Sequence, residues 1–304
     1  NNCNAPATPV WSRLVTDAEP IHQGNGASQM PVEGAAQTRG VFSDGTGAIY
    51  VQAQHYVKKS PDENFIAKYN QAGGRERKMG VAVGSKQNLL AVDMNGSMYA
   101  VGRDKTKYPR KKGEMMNLSV RKYNSSFFPQ WSASWARFPE GSPSSWANLI
   151  LRSVVVDKVG DLLISANSRS SWMANYACVV LKYDGSGHLK WNKSISQATD
   201  DYCGALVTDT NLDIYFLKVS FKSFKSILFK LTSHAGAILW SQELGPHYTA
   251  STNALAIDSE NYIYIAGKIM HAVESNWLGG KMINWVSEVM FLQKYDASGS
   301  LQWE

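Results

Sequence analysis

The chain has 304 residues, of which 44% are hydrophobic and 18% charged, with a formal net charge of +6. This length and apolar content support a large buried core and exclude a disordered chain, and no stretch approaches the ~18 consecutive apolar residues that read as a membrane span. The basic balance favours contact with acidic surfaces or polyanions and says nothing about fold.

Residues 1–37 read as an N-terminal segment in which PVWSRLV (9–15) is a lone outer strand and 16–37 an irregular crossing. From residue 38 a unit recurs five times, over about 38–81, 82–138, 146–196, 201–244 and 251–304. Each copy opens with an apolar strand, A, that ends in Asp: Asp44, Asp93, Asp157, Asp209 and Asp258. Tight polar turns follow, such as DGTG (44–47), DMNGS (93–97), DKVGD (157–161) and DTNLD (209–213). Their Asp, Asn and Gly residues tolerate left-handed backbone or cap their own turn. Six residues after each Asp, in strand B, stand Tyr50, Tyr99, Leu163, Tyr215 and Tyr264.

Strand C then runs into a Lys-Tyr-Asp-like signature: AKYNQAGG (67–74), RKYNSS (121–126), LKYDGSG (181–187), FKLTSHAG (229–236) and QKYDASG (293–299). A short strand D carries Trp131, Trp191, Trp240 and Trp303, with Arg77 in that place in the first copy. Four strands in a repeated unit of roughly 50 residues predict an all-β fold, a β-propeller of four-stranded antiparallel blades. Five complete repeats are visible, plus the spare N-terminal strand. The five Asp residues are expected at equivalent A–B turns and the four Trp residues as structural packing between blades.

The segments ALAIDSENYIYIAG (254–267) with FLQKYDASGSLQW (291–303), and VVLKYDGSGHLKW (179–191), carry a resemblance to a known family. They resemble the bacterial-type seven-bladed β-propeller repeat family, over about 38–304, and are similar to quinoprotein-like, NHL-like and WD40-like propeller repeats. The resemblance implies the fold and a docking role for the Trp residues. It brings no catalytic residue and no cofactor. The first copy lacks the Trp and the fourth has Leu231-Thr232 where Tyr-Asp is expected, so those two blades should pack less regularly.

In an up-and-down sheet the A–B and C–D turns lie at one end of the blades and the B–C and D–A links at the other. The first kind is short. The second is long and irregular: 55–64, 103–115, 167–176 and 268–288 between B and C, and 137–148 and 245–253 between D and A. Loops on a rigid scaffold are where binding surfaces usually sit. The run 103–112 brings Arg103, Lys105, Lys107, Arg110, Lys111 and Lys112 into one link, read either as a solvated loop or as a patch for a polyanion. Trp135, Trp146, Trp172, Trp277 and Trp285 stand outside the repeating position, either as anchors for a partner or as a roof that folds the links down.

Six His are scattered without HExxH or Cys-x-x-Cys spacing, and no Gly-x-Ser-x-Gly elbow occurs. The strand A sequences are mainly apolar, which argues against carboxylates or His gathered at a central channel. The expected function is therefore non-enzymatic: an extracellular binding or scaffold propeller that engages a protein partner, or copies of itself, through its long-link end. A lectin-like glycan-binding propeller is the alternative and a propeller enzyme a third reading; no metal or cofactor is expected. Cys178 and Cys203 are either a disulfide between adjacent blades or two buried thiols, with Cys3 left over. Sequons at Asn95, Asn117, Asn124 and Asn192 would carry glycans in a eukaryotic secreted chain. A first residue Asn1 fits a product of signal removal and equally a trimmed chain.

Overall fold

The structure, a computed structural model, describes residues 36–55, 63–81, 89–107, 114–135, 148–169, 176–195, 201–220, 225–244, 252–277 and 280–304. The lone strand expected at 9–15, and Cys3, lie outside the described residues. The first blade contains β1 (Ala36–Ser43), β2 (Ile49–His55), β3 (Glu63–Tyr69) and β4 (Arg75–Gly80). The second contains β5 (Leu89–Val92), β6 (Met98–Lys107), β7 (Glu114–Tyr123) and β8 (Pro129–Trp135). The third contains β9 (Asn148–Val156), β10 (Leu162–Arg169), β11 (Ala177–Tyr183) and β12 (Leu189–Ser194). The fourth contains β13 (Asp201–Thr208), β14 (Ile214–Ser220), β15 (Lys225–Leu231) and β16 (Ile238–Glu243). The fifth contains β17 (Thr252–Ile257), β18 (Ile263–Trp277), β19 (Gly280–Tyr295) and β20 (Leu301–Trp303). Each blade is an antiparallel meander in chain order. The first strands of successive blades touch one another and so lie innermost, while β4, β8, β12, β16 and β20 form a largely exposed rim. The described chain is a five-bladed β-propeller.

The six-residue spacing from Asp to Tyr has a local cause. Asp44 Oδ1 accepts the N–H groups of Thr46 and Ala48 at 2.9 and 3.1 Å, closing the A–B turn. Its Oδ2 accepts the Tyr50 hydroxyl at 3.0 Å. Asp209 and Asp258 repeat both halves with Tyr215 and Tyr264. Asp93 caps its turn in the same way, but Tyr99 reaches across instead, donating to the Gly160 carbonyl of the next blade at 3.1 Å. In the third blade Leu163 has no hydroxyl to offer. There Lys182, 1% exposed, takes its place at 2.9 Å from Asp157 Oδ2 and 3.2 Å from Asp161. A buried carboxylate needs such a partner, because leaving it unpaired in the core is costly.

Apolar packing lies between blades, where the forward face of one meets the rear face of the next. Tyr99, Leu118 and Val120 of the second blade pack on Leu162 and Ile164 of the third. Leu163 and Val180 of the third pack on Ile214 and Phe216 of the fourth. Three rim Trp residues complete these interfaces. Trp131 Nε1 donates to Gly185 O at 2.9 Å, and Trp191 Nε1 to Ser233 O at 3.0 Å. Each ring lies against a left-handed Gly in the next blade's C–D turn: Trp131 on Gly187, Trp191 on Gly236, Trp240 on Gly299. A Cβ at Gly187 would stand 2.8 Å from the Trp131 ring, so only Gly fits there. Trp303 has no such turn before it among the described residues and is 45% exposed.

The two irregular blades differ in small ways. Where Arg77 replaces Trp, the next C–D turn carries Phe127 rather than Gly at φ 66°, and the phenyl ring itself fills the interface. At Thr232 the hydroxyl caps Ala237 five residues on, rather than four as Asp184 does for His188, so that turn is one residue longer.

The links expected at 103–115 and 268–288 are shorter than the sequence suggested. β6 and β7 stay paired out to Lys107↔Glu114, and β18 and β19 out to Trp277↔Gly280. Continued pairing satisfies backbone N–H and C=O groups that an open loop would leave to water. Trp135, expected as an anchor or roof outside the repeating Trp position, lies in β8 and packs half-buried on the interface of the second and third blades. Cys178 and Cys203 join the third and fourth blades through a disulfide with S–S 2.06 Å. No described helix is long and apolar enough to cross a membrane.

Candidate functional site: a guanidinium cluster at the long-link end

Strand A carries a repeated irregularity. Its ladder to strand B shifts register between Thr38 and Gly40 in the first blade, and between Thr252 and Ala254 in the fifth. In the third blade the shift lies opposite Ser165/Ala166, and in the fourth between Cys203 and Leu206. In the first, third and fifth blades the extra residue is Arg39, Arg152 or Asn253, each five positions before its turn Asp. A bulge of this kind takes a residue out of the pleat and re-aims its side chain.

At Arg152 the result is a guanidinium that is partly open to solvent and held from several sides. Its Nε donates to Asn167 Oδ1 at 2.6 Å, and it lies 5.0 Å from the centre of the Tyr202 ring. Asn167 is fully buried, and its Nδ2 donates to the Asp201 carbonyl at 2.9 Å. Asp201 in turn pairs with Lys218 at 2.9 Å. Tyr202 meets Tyr176 with ring centres 5.6 Å apart. Burial pulls the Arg152 guanidinium below its ordinary pKa, while the Tyr202 and Tyr176 phenols push the other way. Arginine stays charged throughout the accessible pH range.

Arg103 approaches the same region from the second blade. Its Nη1 donates to the Leu149 carbonyl at 2.7 Å, three residues before Arg152 on β9. Its Nε is buried and has no hydrogen-bond partner among the described residues. Burial also lowers its pKa, opposed by Tyr176, so one phenol acts on both guanidiniums. Among the described residues no carboxylate forms an ion pair with either arginine. Two planar cations without a carboxylate, beside two Tyr rings, suit bidentate recognition of a carboxylate or another oxyanion.

Of the residues singled out from sequence, Arg103 falls in this cluster. The backbone of Lys105 and Lys107 continues along β6, with side chains outside the described set. Arg110, Lys111, Lys112, Trp146 and Trp172 lie outside it. Trp277 and Trp285 lie on opposite strands of the β18–β19 hairpin, Trp277 paired with Gly280 and Trp285 with Ala272, and their side chains are not described. Arg152, Asn167, Tyr176 and Tyr202 were not singled out. The recurrence of Arg five residues before Asp44 and Asp157 was the available signal. No group of three or more His, Cys, Asp or Glu that could hold a metal ion occurs among the described residues.

A family model described as Beta-propeller repeat matches residues 239–271. Repeat and fold therefore agree. No curated protein matches the chain. Among solved structures the chain is similar to a protein from Lactobacillus plantarum, at 12% identity and TM-score 0.48, covering 86% of this chain and 82% of that one. It is similar to prolyl oligopeptidase B from Galerina marginata at 12% identity and TM-score 0.46, covering 88% of this chain and 42% of that one. A third likeness is to a glucose dehydrogenase at 8% identity and TM-score 0.40, covering 80% and 81%. At these identities and scores the likenesses carry no functional argument.

Proposed function

We propose that this propeller is a non-enzymatic binding module of the cell exterior that holds an acidic segment of a protein partner at its long-link end. The observation that carries the reading is the Arg103–Arg152 cluster, two guanidiniums from neighbouring blades with no carboxylate paired to either among the described residues. The scaffold pre-orients both: Arg103 through the Leu149 carbonyl, Arg152 through Asn167 and Tyr202. Lys105, Lys107, Arg110, Lys111 and Lys112 extend the positive charge and would steer an acidic partner, while Trp146, Trp172, Trp277 and Trp285 would supply apolar anchors. The disulfide supports an oxidising compartment outside the cytosol.

A titration of the full chain with a Glu/Asp-rich peptide, repeated at rising salt, tests this. Arg152→Gln and Arg103→Gln should each weaken binding by about tenfold, in line with the loss of a charge-assisted hydrogen bond. Equal affinity of both variants and the native chain would remove the assignment. The lectin-like reading draws on the Tyr176–Tyr202 pair, which could stack on a sugar ring. It would be preferred if a glycan array bound the chain, losing signal with Tyr202→Ala, while the peptide did not.

A further inference from the structure

The four interfaces between consecutive blades share one forward-facing surface, and the fifth blade carries that surface with nothing packed on it among the described residues. In strand C, the residue two before the signature Lys is Ile66, Val120, Val180 and Leu228 in the first four blades, 0–1% exposed. In the fifth it is Leu292, 50% exposed. Two residues earlier, Leu118, Cys178 and Ser226 are fully buried, whereas Met290 is 80% exposed. Ala254 and Ala256 of β17 lie on the same face and are exposed. Burying such apolar area is the main gain at each of the other interfaces.

The polar groups of the interface are present too. Tyr264 is held by Asp258, Lys294 lies 5.4 Å from the Tyr264 ring centre, and the Trp303 and Tyr264 rings are 6.2 Å apart. The placing of Lys294 and Trp303 about Tyr264 matches that of Lys122 and Trp131 about Tyr99, at 4.9 and 6.0 Å. There, however, Lys122 Nζ and Trp131 Nε1 both donate to Gly185 O of the next blade, at 3.1 and 2.9 Å. The fifth blade thus presents the same donors and the same ring contact, with no acceptor turn against them among the described residues.

We propose that the forward face of the fifth blade is a docking face for one further blade of this repeat. That blade must bring an aliphatic rear face, a C–D turn with Gly at positive φ to seat the Trp303 ring, and a carbonyl in that turn to accept from Trp303 and Lys294. The first blade of a second copy is not the occupant. Its rear face is already buried, with Ala53, Ala67 and Tyr69 at 0–2% exposure.

The test extends the full chain. A second copy of residues 136–195, which includes the turn that receives Trp131, is appended after Glu304. Met290 oxidation and hydroxyl-radical labelling of Trp303 are then read by mass spectrometry, with Trp240 as internal reference. The expected result is loss of Trp303 labelling to the Trp240 level and protection of Met290. Changing Gly187→Val in the appended copy alone, or Trp303→Ala, should make the appended segment protease-sensitive while the first five blades stay intact. Two results overturn the proposal. One is unchanged labelling of Met290 and Trp303 in the extended chain. The other is a concentration-dependent dimer of the unextended chain that already protects both residues, since a second copy would then be the occupant.

Discussion

Phe127 and Tyr50 face each other across the first inter-blade interface with ring centres 6.4 Å apart. In the second and fourth blades the strand B Tyr instead meets its own blade's Trp, Tyr99 with Trp131 at 6.0 Å and Tyr215 with Trp240 at 5.9 Å. The aromatic partner has thus moved from the rim strand of one blade to the turn of the next. The move places a non-Gly residue at φ 66°, where a Cβ costs roughly 1–2 kcal/mol.

This relationship predicts coupling between Arg77 and Phe127. Phe127→Gly relieves the backbone cost but removes a buried ring, worth about 3–5 kcal/mol, so it should lower stability. Arg77→Trp alone should clash with the ring already in place. The double variant reproduces the Trp-on-Gly arrangement of Trp131 and Gly187 and should recover most of the loss. A double-mutant cycle in denaturant checks it, and additive effects would show that the two positions do not share a slot.

The rim Trp residues should not be equivalent. Trp191→Ala breaks a hydrogen bond and a stack on Gly236, and should cost about 3 kcal/mol, the low end for a buried aromatic because the ring is half-buried. Trp303→Ala removes an exposed ring and should cost under ~1 kcal/mol in the same chain. Thermal unfolding of both variants side by side decides between this and four equal structural Trp residues.

Lys182 should be the most sensitive single lysine. Replacing it with Met leaves Asp157 buried without its cation, a change in the range of ~3–5 kcal/mol. Adding Asp157→Asn to Lys182→Met should restore part of the loss, because the uncompensated charge disappears while the amide oxygen still caps the turn, as Asn124 does in its own turn. No rescue in chemical denaturation would show that packing, not charge, is what Lys182 supplies.

Acid should weaken the A–B turns. At Asp44, burial raises the carboxyl pKa, but this is outweighed by hydrogen bonds from the Thr46 and Tyr50 hydroxyls and the Thr46 and Ala48 N–H groups, so the net shift is downward. A folded pKa below the unfolded one gives stability that is complete above the unfolded value, near ~3.9, and is lost as pH falls through the folded value. The stability gap between the native chain and Asp44→Asn should therefore be constant at neutral pH and shrink below about pH 4. A gap that widens on acidification would reverse the assigned sign.

Reduction should loosen the third and fourth blades. The Cys178–Cys203 link closes a loop of 25 residues, for which chain entropy gives ~3 kcal/mol. The Cys178→Ser, Cys203→Ser chain should melt lower and expose Leu206 and Phe216 to hydrogen exchange first, as they share a cluster with both sulfurs.

Strand number, turn positions and the identity of the blades were legible in the residues themselves. The reason is that each controlling contact is local: an Asp side chain closes its turn within four residues and reaches a Tyr at six. Such contacts depend on spacing alone. Arg152, by contrast, reads in sequence as one residue of an apolar strand. Only a bulge, the buried Asn167 and the Tyr202 of another blade make it part of a cluster with Arg103. The lengths of the β6–β7 and β18–β19 hairpins, the transfer of an aromatic role from strand D to Phe127, and the different surroundings of Trp191 and Trp303 were equally invisible. The hairpin lengths follow from local pairing that continues to Lys107↔Glu114 and Trp277↔Gly280, whereas the other two depend on groups some 40–80 residues apart in sequence, such as Trp191 and Ser233, or Tyr50 and Phe127. Their meeting is decided by how one twisted sheet lies on the next, and only the assembled blades determine that.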